Sequence, residues 1–205
     1  MPIVEELILK VNTGRCVGIQ ITNNTKDVTL ENPRTYCFSG HIKNDPEPEI
    51  RPGSSESCVF VKTKYTPRGS VGVLSYESDA LTLAIMFSNP FERVLYNSEF
   101  ALELFPGRKH FESMERLYQY MYSHKPPFKC ESFGRTELKE TQDGKVNVSN
   151  KEIQVKVTIS NGNKAIIKVQ IEKNEPCPPY TPHAAYPGQP WMTDKGAAGW
   201  NIRKQ

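Results

Sequence analysis

The side chains best suited to ligate a metal or to act as nucleophile and base are five cysteines and four histidines. Cys16, Cys37, Cys58, Cys130 and Cys177 are spaced 21, 21, 72 and 47 residues apart, an odd set without a Cys-x-x-Cys pair. His41, His110, His124 and His183 are scattered, so neither a zinc centre nor a histidine beside a Ser or Cys nucleophile is expected. Paired carboxylates and a phosphate-cradling glycine loop are likewise missing. The sequence therefore assigns no catalytic residue, no metal and no cofactor, and a non-enzymatic function is expected. The chemistry left is that of hydroxyls, aromatic rings and surface charge. Twenty-six basic and 23 acidic residues leave a net charge of +3, too balanced for a nucleic-acid partner. Arg108-Lys109 and the basic residues in 125–129 suit either anionic lipid or plain solvated surface. Asn23-Asn24-Thr25 and Asn147-Val148-Ser149 match the glycosylation sequon, which matters only in the secretory pathway.

These side chains must be carried by short strands. Residues 16–21 alternate with period two, and 58–61 follow a Pro-Gly-Ser-Ser turn. Residues 70–76 and 81–87 form β-rich runs around Glu77-Ser78-Asp79, and 100–105 close on Pro106-Gly107. Residues 153–159 and 165–171 alternate around Asn161-Gly162-Asn163, the sharpest hairpin signal in the chain. Strands of this length and spacing predict an all-β sandwich. Two stretches have helical spacing instead. Ile3, Val4, Leu7, Ile8 and Val11 share one face. Residues 109–123 carry a Phe111, Met114, Tyr118, Met121 stripe that Pro126-Pro127 would stop.

Mean hydropathy is −0.56, and the apolar run at 81–87 falls far short of the ~20 residues a spanning helix needs. Glu5 and Glu6 interrupt the first apolar stretch, so it lacks the form of a signal peptide. That predicts a cytoplasmic or non-classically released protein with its thiols reduced. Residues 174–205 hold six of the sixteen prolines and read as a disordered tail. There Pro179-Tyr180-Thr181-Pro182 and Pro187-Gly188-Gln189-Pro190 fit a ligand of a proline-reading domain. The expected organisation is a short amphipathic segment at 1–11, a sandwich at 12–173 and the tail at 174–205.

The most specific signal is Gly69-Ser70-Val71-Gly72-Val73-Leu74-Ser75-Tyr76, then Thr82-Leu83-Ala84-Ile85-Met86-Phe87-Ser88-Asn89-Pro90-Phe91, then Tyr96-Asn97. It resembles the actinoporins, the pore-forming cytolysins of sea anemones, and more closely their vertebrate actinoporin-like relatives. Asn32-Pro33-Arg34-Thr35-Tyr36, Ser39-Gly40 and Arg51-Pro52 resemble the vertebrate branch. The resemblance implies a sandwich of two sheets flanked by two helices. It also implies a monomer that binds phosphocholine headgroups, preferring sphingomyelin, then inserts an N-terminal amphipathic helix and oligomerises into a cation-permeable pore.

Carried over position by position, the resemblance implies a phosphocholine site of Ser39, Val71, Ser88, Pro90, Tyr96 and Tyr118. Hydroxyls would hydrogen-bond the phosphate, and tyrosine faces would attract the quaternary ammonium. Four positions depart from the family pattern. Leu95 and Glu99 stand where the anemone toxins place tryptophans, and Met114 and Gln119 where they place tyrosines. At ~0.5–2 kcal/mol for each lost aromatic contact, headgroup affinity should be lower by about 2–8 kcal/mol. The same resemblance makes Ile3, Val4, Leu7, Ile8 and Val11 the candidates for the membrane-inserting segment. Residues 2–11 would span about 15 Å as helix against a hydrocarbon core of roughly 30 Å, so weak pore formation is expected. The Arg-Gly-Asp element of many anemone members is replaced near Phe128-Lys129-Cys130. The alternative function is a non-lytic lectin-like or protein-interaction module on the same sandwich.

Overall fold

The structure is a computed structural model describing residues 3–139 and 142–174. The proline-rich tail and both of its motif matches lie outside the described residues. Among the described residues there are two helices and thirteen strands. They are α1 (Val4–Leu9), β1 (Cys16–Asn23), β2 (Leu30–Ser39), β3 (His41–Asn44), β4 (Glu49–Ile50), β5 (Ser55–Val61), β6 (Ser70–Glu77) and β7 (Leu81–Asn89). After these come β8 (Ser98–Pro106), α2 (Met114–Ser123), β9 (Phe128–Lys129), β10 (Phe133–Leu138), β11 (Gly144–Ser149), β12 (Ile153–Ser160) and β13 (Lys164–Lys173).

The strands form a six-stranded sheet, β11-β12-β13-β1-β5-β3, and a seven-stranded sheet, β4-β2-β6-β7-β8-β10-β9. The expected all-β sandwich with two flanking helices is the observed fold. Pairing is antiparallel except where β1 runs parallel to β13. The inner faces meet in one core that includes Val17, Ile19, Phe60, Leu74, Phe87, Val157 and Val169.

What covers the outer faces explains the burial pattern. β12 and β13 turn one side to water and alternate buried with open positions. β7 is buried almost throughout, because the other sheet covers one side and α2 the other. α1 covers part of the six-stranded sheet, packing Val4, Ile8 and Val11 on Cys16, Val59 and Val61.

α2 starts at Met114, five residues later than the apolar stripe suggests. The Lys109 amide donates to Thr82 Oγ1 (2.8 Å), which holds the preceding segment extended. Ser113 then caps the helix by accepting from the Arg116 amide (3.3 Å).

Candidate functional site

Register brings the sequence-distant candidates together. Ser39 stands opposite Val71, Val71 opposite Ser88, and Ser88 opposite Glu99, giving one row across β2, β6, β7 and β8. Directly opposed residues point to the same face. Val71 packs with the α2 cluster, so the row lies on the outer face that α2 partly covers. Glu31, Glu77, Thr82 and Phe105 make the corresponding row at the other end of the sheet.

Pro90 is held close to this row. Ser39 Oγ donates to the Gly69 carbonyl (2.9 Å). A Cβ on Gly69 would lie 2.1 Å from the Asn89 carbonyl oxygen and 2.7 Å from Pro90 Cα, so only glycine lets the start of β6 approach here. Buried Asn89 donates through Nδ2 to the Cys16, Gly162 and Asn163 carbonyls (3.0, 3.1 and 3.1 Å), joining the two sheets. Arg15 donates to the carbonyls of Pro90 (2.9 Å) and Phe91 (2.8 Å), fixing the start of the β7–β8 loop.

Tyr118 is 6% exposed and sits in an aromatic cluster. Its ring is stacked with Phe38 (centroids 5.4 Å apart, 16° between planes) and with Tyr122 (5.8 Å, 22°), and tilted against Tyr36 (6.0 Å). Burial pushes the ionisation of its hydroxyl well up, so it is a neutral donor and acceptor. The open aromatic surface of this cluster belongs to Phe38 and Tyr122, both exposed. Beneath them lies Arg135, whose side chain is 3% exposed. Its guanidinium pairs with Glu99, donates to the Tyr122 and His124 carbonyls at the end of α2, and sits 4.6 Å from the Tyr122 ring centroid. Glu99 is therefore charge-paired with a residue of this chain.

The remaining candidates are more dispersed. Leu95 (72% exposed) and Tyr96 (64%) project from the β7–β8 loop with Val94, and no ring contact joins Tyr96 to Tyr118 among the described residues. Met114 is buried under the start of α2, where it accepts from Ser75 Oγ, and Gln119 lies on the exposed side of that helix. Of the candidate inserting residues, Val4, Ile8 and Val11 are buried on the six-stranded sheet, Leu7 is half-buried and Ile3 is exposed.

Phe38, Tyr122 and Arg135 were not legible as site residues. Phe38 adjoins Ser39 and Tyr122 follows Tyr118 by one helical turn, which are usable signals; Arg135 offers none. A second acid on this face, Glu103, is buried below α2. It accepts from the Tyr120 hydroxyl (3.0 Å) through Oε1, and its Oε2 has no partner. The four cysteines among the described residues are free thiols. Burial raises Cys16 to about 11 and Cys58 further, so both are unreactive.

A two-sheet sandwich with a helix on each outer face, ending in exposed apolar loops, defines the class of this protein as actinoporin-like. The family model described as sea anemone cytotoxic protein matches residues 11–173, and the chain belongs to that family. DELTA-thalatoxin-Avl1b of Actineria villosa is 31% identical over 169 residues, 80% of this chain and 67% of that protein. DELTA-alicitoxin-Pse1b of Phyllodiscus semoni is 32% identical over 133 residues, 63% of this chain and 56% of that protein. The chain thus spans between about half and two thirds of these curated relatives. The crystal structure of the lipid binding protein Nakanori shares the fold, with a TM-score of 0.63 at 17% identity over 82% of this chain and 75% of that one. The family is one of cytotoxic proteins, not of enzymes.

Proposed function

We propose that the protein binds membrane lipids, docking with the sandwich end that carries the Ser39–Val71–Ser88 row and the β7–β8 loop. The observation that carries this reading is their shared position. Strand register puts Ser39 and Ser88 on either side of Val71 in one row, and the loop that leaves the end of β7 exposes Val94, Leu95 and Tyr96. Contiguous exposed apolar side chains, unlike scattered single ones, mark a surface that receives a partner or a membrane. Each apolar side chain taken from water is worth about 1.5–3 kcal/mol, enough for three to hold a protein on a bilayer.

The headgroup in this reading is phosphocholine, as in sphingomyelin. Ser39, Ser88 and the Tyr118 hydroxyl face the phosphate, Val71 and Pro90 line the apolar side, and Tyr96 and Phe38 offer open rings to the ammonium. Arg135 already sits over Tyr122 and pairs with Glu99, so selection for choline is weaker than a full aromatic cage would give. Assembly into oligomers occurs on the membrane. Pore formation is weak, because Val4, Ile8 and Val11 of the candidate inserting segment are buried on the six-stranded sheet.

Flotation of the full chain with phosphatidylcholine vesicles, with and without sphingomyelin, tests the reading. Binding is expected to both, stronger with sphingomyelin, and at least about tenfold weaker for Leu95→Ala/Tyr96→Ala. Absence of binding to either vesicle overturns it. Release of a trapped dye from the same vesicles should be slight. Hits on a glycan array in place of vesicle binding would favour the lectin-like alternative.

A further inference from the structure

The β5–β6 loop, residues 62–69, lies against the β7–β8 loop. Lys62 anchors one side: its Nζ donates to the Thr66 carbonyl (2.7 Å) and sits 4.0 Å from the Phe91 ring centroid. Gly69 anchors the other, tied to Ser39 and pressed on the Asn89 carbonyl. Between these anchors stand Lys64, Tyr65 and Arg68, all exposed.

Tyr65 is 102% exposed and has φ +61°, a left-handed conformation that a bulky aromatic residue rarely adopts. A large ring held fully in water on a strained backbone has no role in the fold. Lys64 and Arg68 make no ion pair and no side-chain hydrogen bond among the described residues, and residues 62–69 contain no acid. At the opposite end of the sandwich Arg51, Arg108 and Lys173 are each paired with a carboxylate (Glu49, Glu31 with Asp79, and Asp27), while Lys26 and Lys151 there are unpaired among the described residues but flank no exposed ring. Glu92 is the acid of the neighbouring β7–β8 loop. It faces Arg15, and its carboxylate accepts from the Val94 amide (3.4 Å).

Two unpaired cations flanking an exposed tyrosine match the chemistry of the bilayer interface. The amphipathic ring sits at headgroup level, and the cations meet phosphate and carboxylate oxygens. We propose that the loop at 62–69 is a second lipid contact that selects a net-anionic bilayer, with Lys64 and Arg68 supplying the charge selection and Tyr65 the interfacial seat. The inference rests on the reading that this end of the sandwich meets the membrane. It adds a selection that the Ser39–Ser88 row does not make: the row faces a zwitterionic headgroup, and this loop reads the net charge around it.

The test compares phosphatidylcholine–sphingomyelin vesicles with and without phosphatidylserine, using the full chain, Lys64→Gln/Arg68→Gln and Tyr65→Ala. Thermal unfolding would confirm that the variants are folded. Phosphatidylserine is expected to tighten wild-type binding about tenfold to thirtyfold, with the gain fading as salt is added. Lys64→Gln/Arg68→Gln should bind vesicles lacking phosphatidylserine as the wild type does and show no gain with it. Tyr65→Ala should bind both vesicle types less tightly and keep the gain. Equal wild-type affinity for the two vesicle types, or a gain that survives in Lys64→Gln/Arg68→Gln, overturns the inference but leaves membrane docking intact. No wild-type binding to either vesicle overturns both.

Discussion

The two helices lie on the two outer faces of one sandwich and are fastened in different ways. α1 has no side-chain cap at its start and buries Val4 and Ile8, with Val11 just beyond its end. Its polar ties are the Val4 amide, which donates to Gln20 Oε1 (3.5 Å), Lys164, which donates to the Ile8 and Val11 carbonyls (3.2 and 2.9 Å), and a half-exposed Lys168–Glu5 pair. α2 is capped by Ser113 and buries Met114, Leu117, Tyr118 and Met121. Its last carbonyls are held by the buried guanidinium of Arg135, which also pairs with Glu99. An exposed ion pair contributes about 0–1 kcal/mol, whereas removing one partner of a buried one costs about 3–5 kcal/mol. α2 is thus fixed to the aromatic cluster by a cap and a buried ion pair, whereas α1 is held mainly by the burial of its apolar face on the six-stranded sheet.

Arg135→Met should have the largest effect. It leaves Glu99 unpaired and the end of α2 uncapped, so urea unfolding should show a loss of about 3–5 kcal/mol. A loss below about 1 kcal/mol would put α2 on the same footing as α1. Gly18→Ala acts on the other helix. Its Cβ would lie 2.5 Å from Ile8 Cδ1 and Val4 Cγ2, so α1 must shift or lift at a cost of about 1–3 kcal/mol. Hydrogen exchange should quicken in residues 4–11 and stay unchanged in α2; quickening in both would erase the distinction.

The smallest effect is expected at Glu103. Burial raises its carboxyl pKa against the pull of Tyr120, His124 and Lys109, so the fold favours the neutral acid. This group's penalty is absent below the ordinary carboxyl range and develops as pH rises through the raised value. Glu103→Gln keeps an acceptor for Tyr120 and should gain about 1 kcal/mol at pH 7, seen as roughly 2–4 °C in Tm. The gain should vanish in acid.

Legibility in the sequence followed how local the physics is. The β12–β13 hairpin and the β6–β7 pair could be read from alternation and turn residues, because neighbours in sequence are neighbours in the sheet. β2 was hidden: Asn32, with φ +51°, and Pro33 break its pattern, and the register with β6 shifts there. The start of α2 was misplaced because Phe111 continues the apolar stripe, while the Lys109 amide is tied to distant Thr82 and Ser113 caps the helix only after Phe111. The candidate site residues came from the family resemblance, whereas the Ser39–Val71–Ser88–Glu99 row exists only through strand register. Arg135 was invisible because nothing near it in sequence hints at Glu99 or at the end of α2.

Membrane docking by one end of the sandwich is tested most directly by hydrogen exchange of the full chain with and without phosphatidylcholine–sphingomyelin vesicles. Protection is expected in residues 62–69 and 90–97, with α2 and the far turn at 78–80 unchanged. Protection centred on 78–80, or none anywhere, would contradict the account.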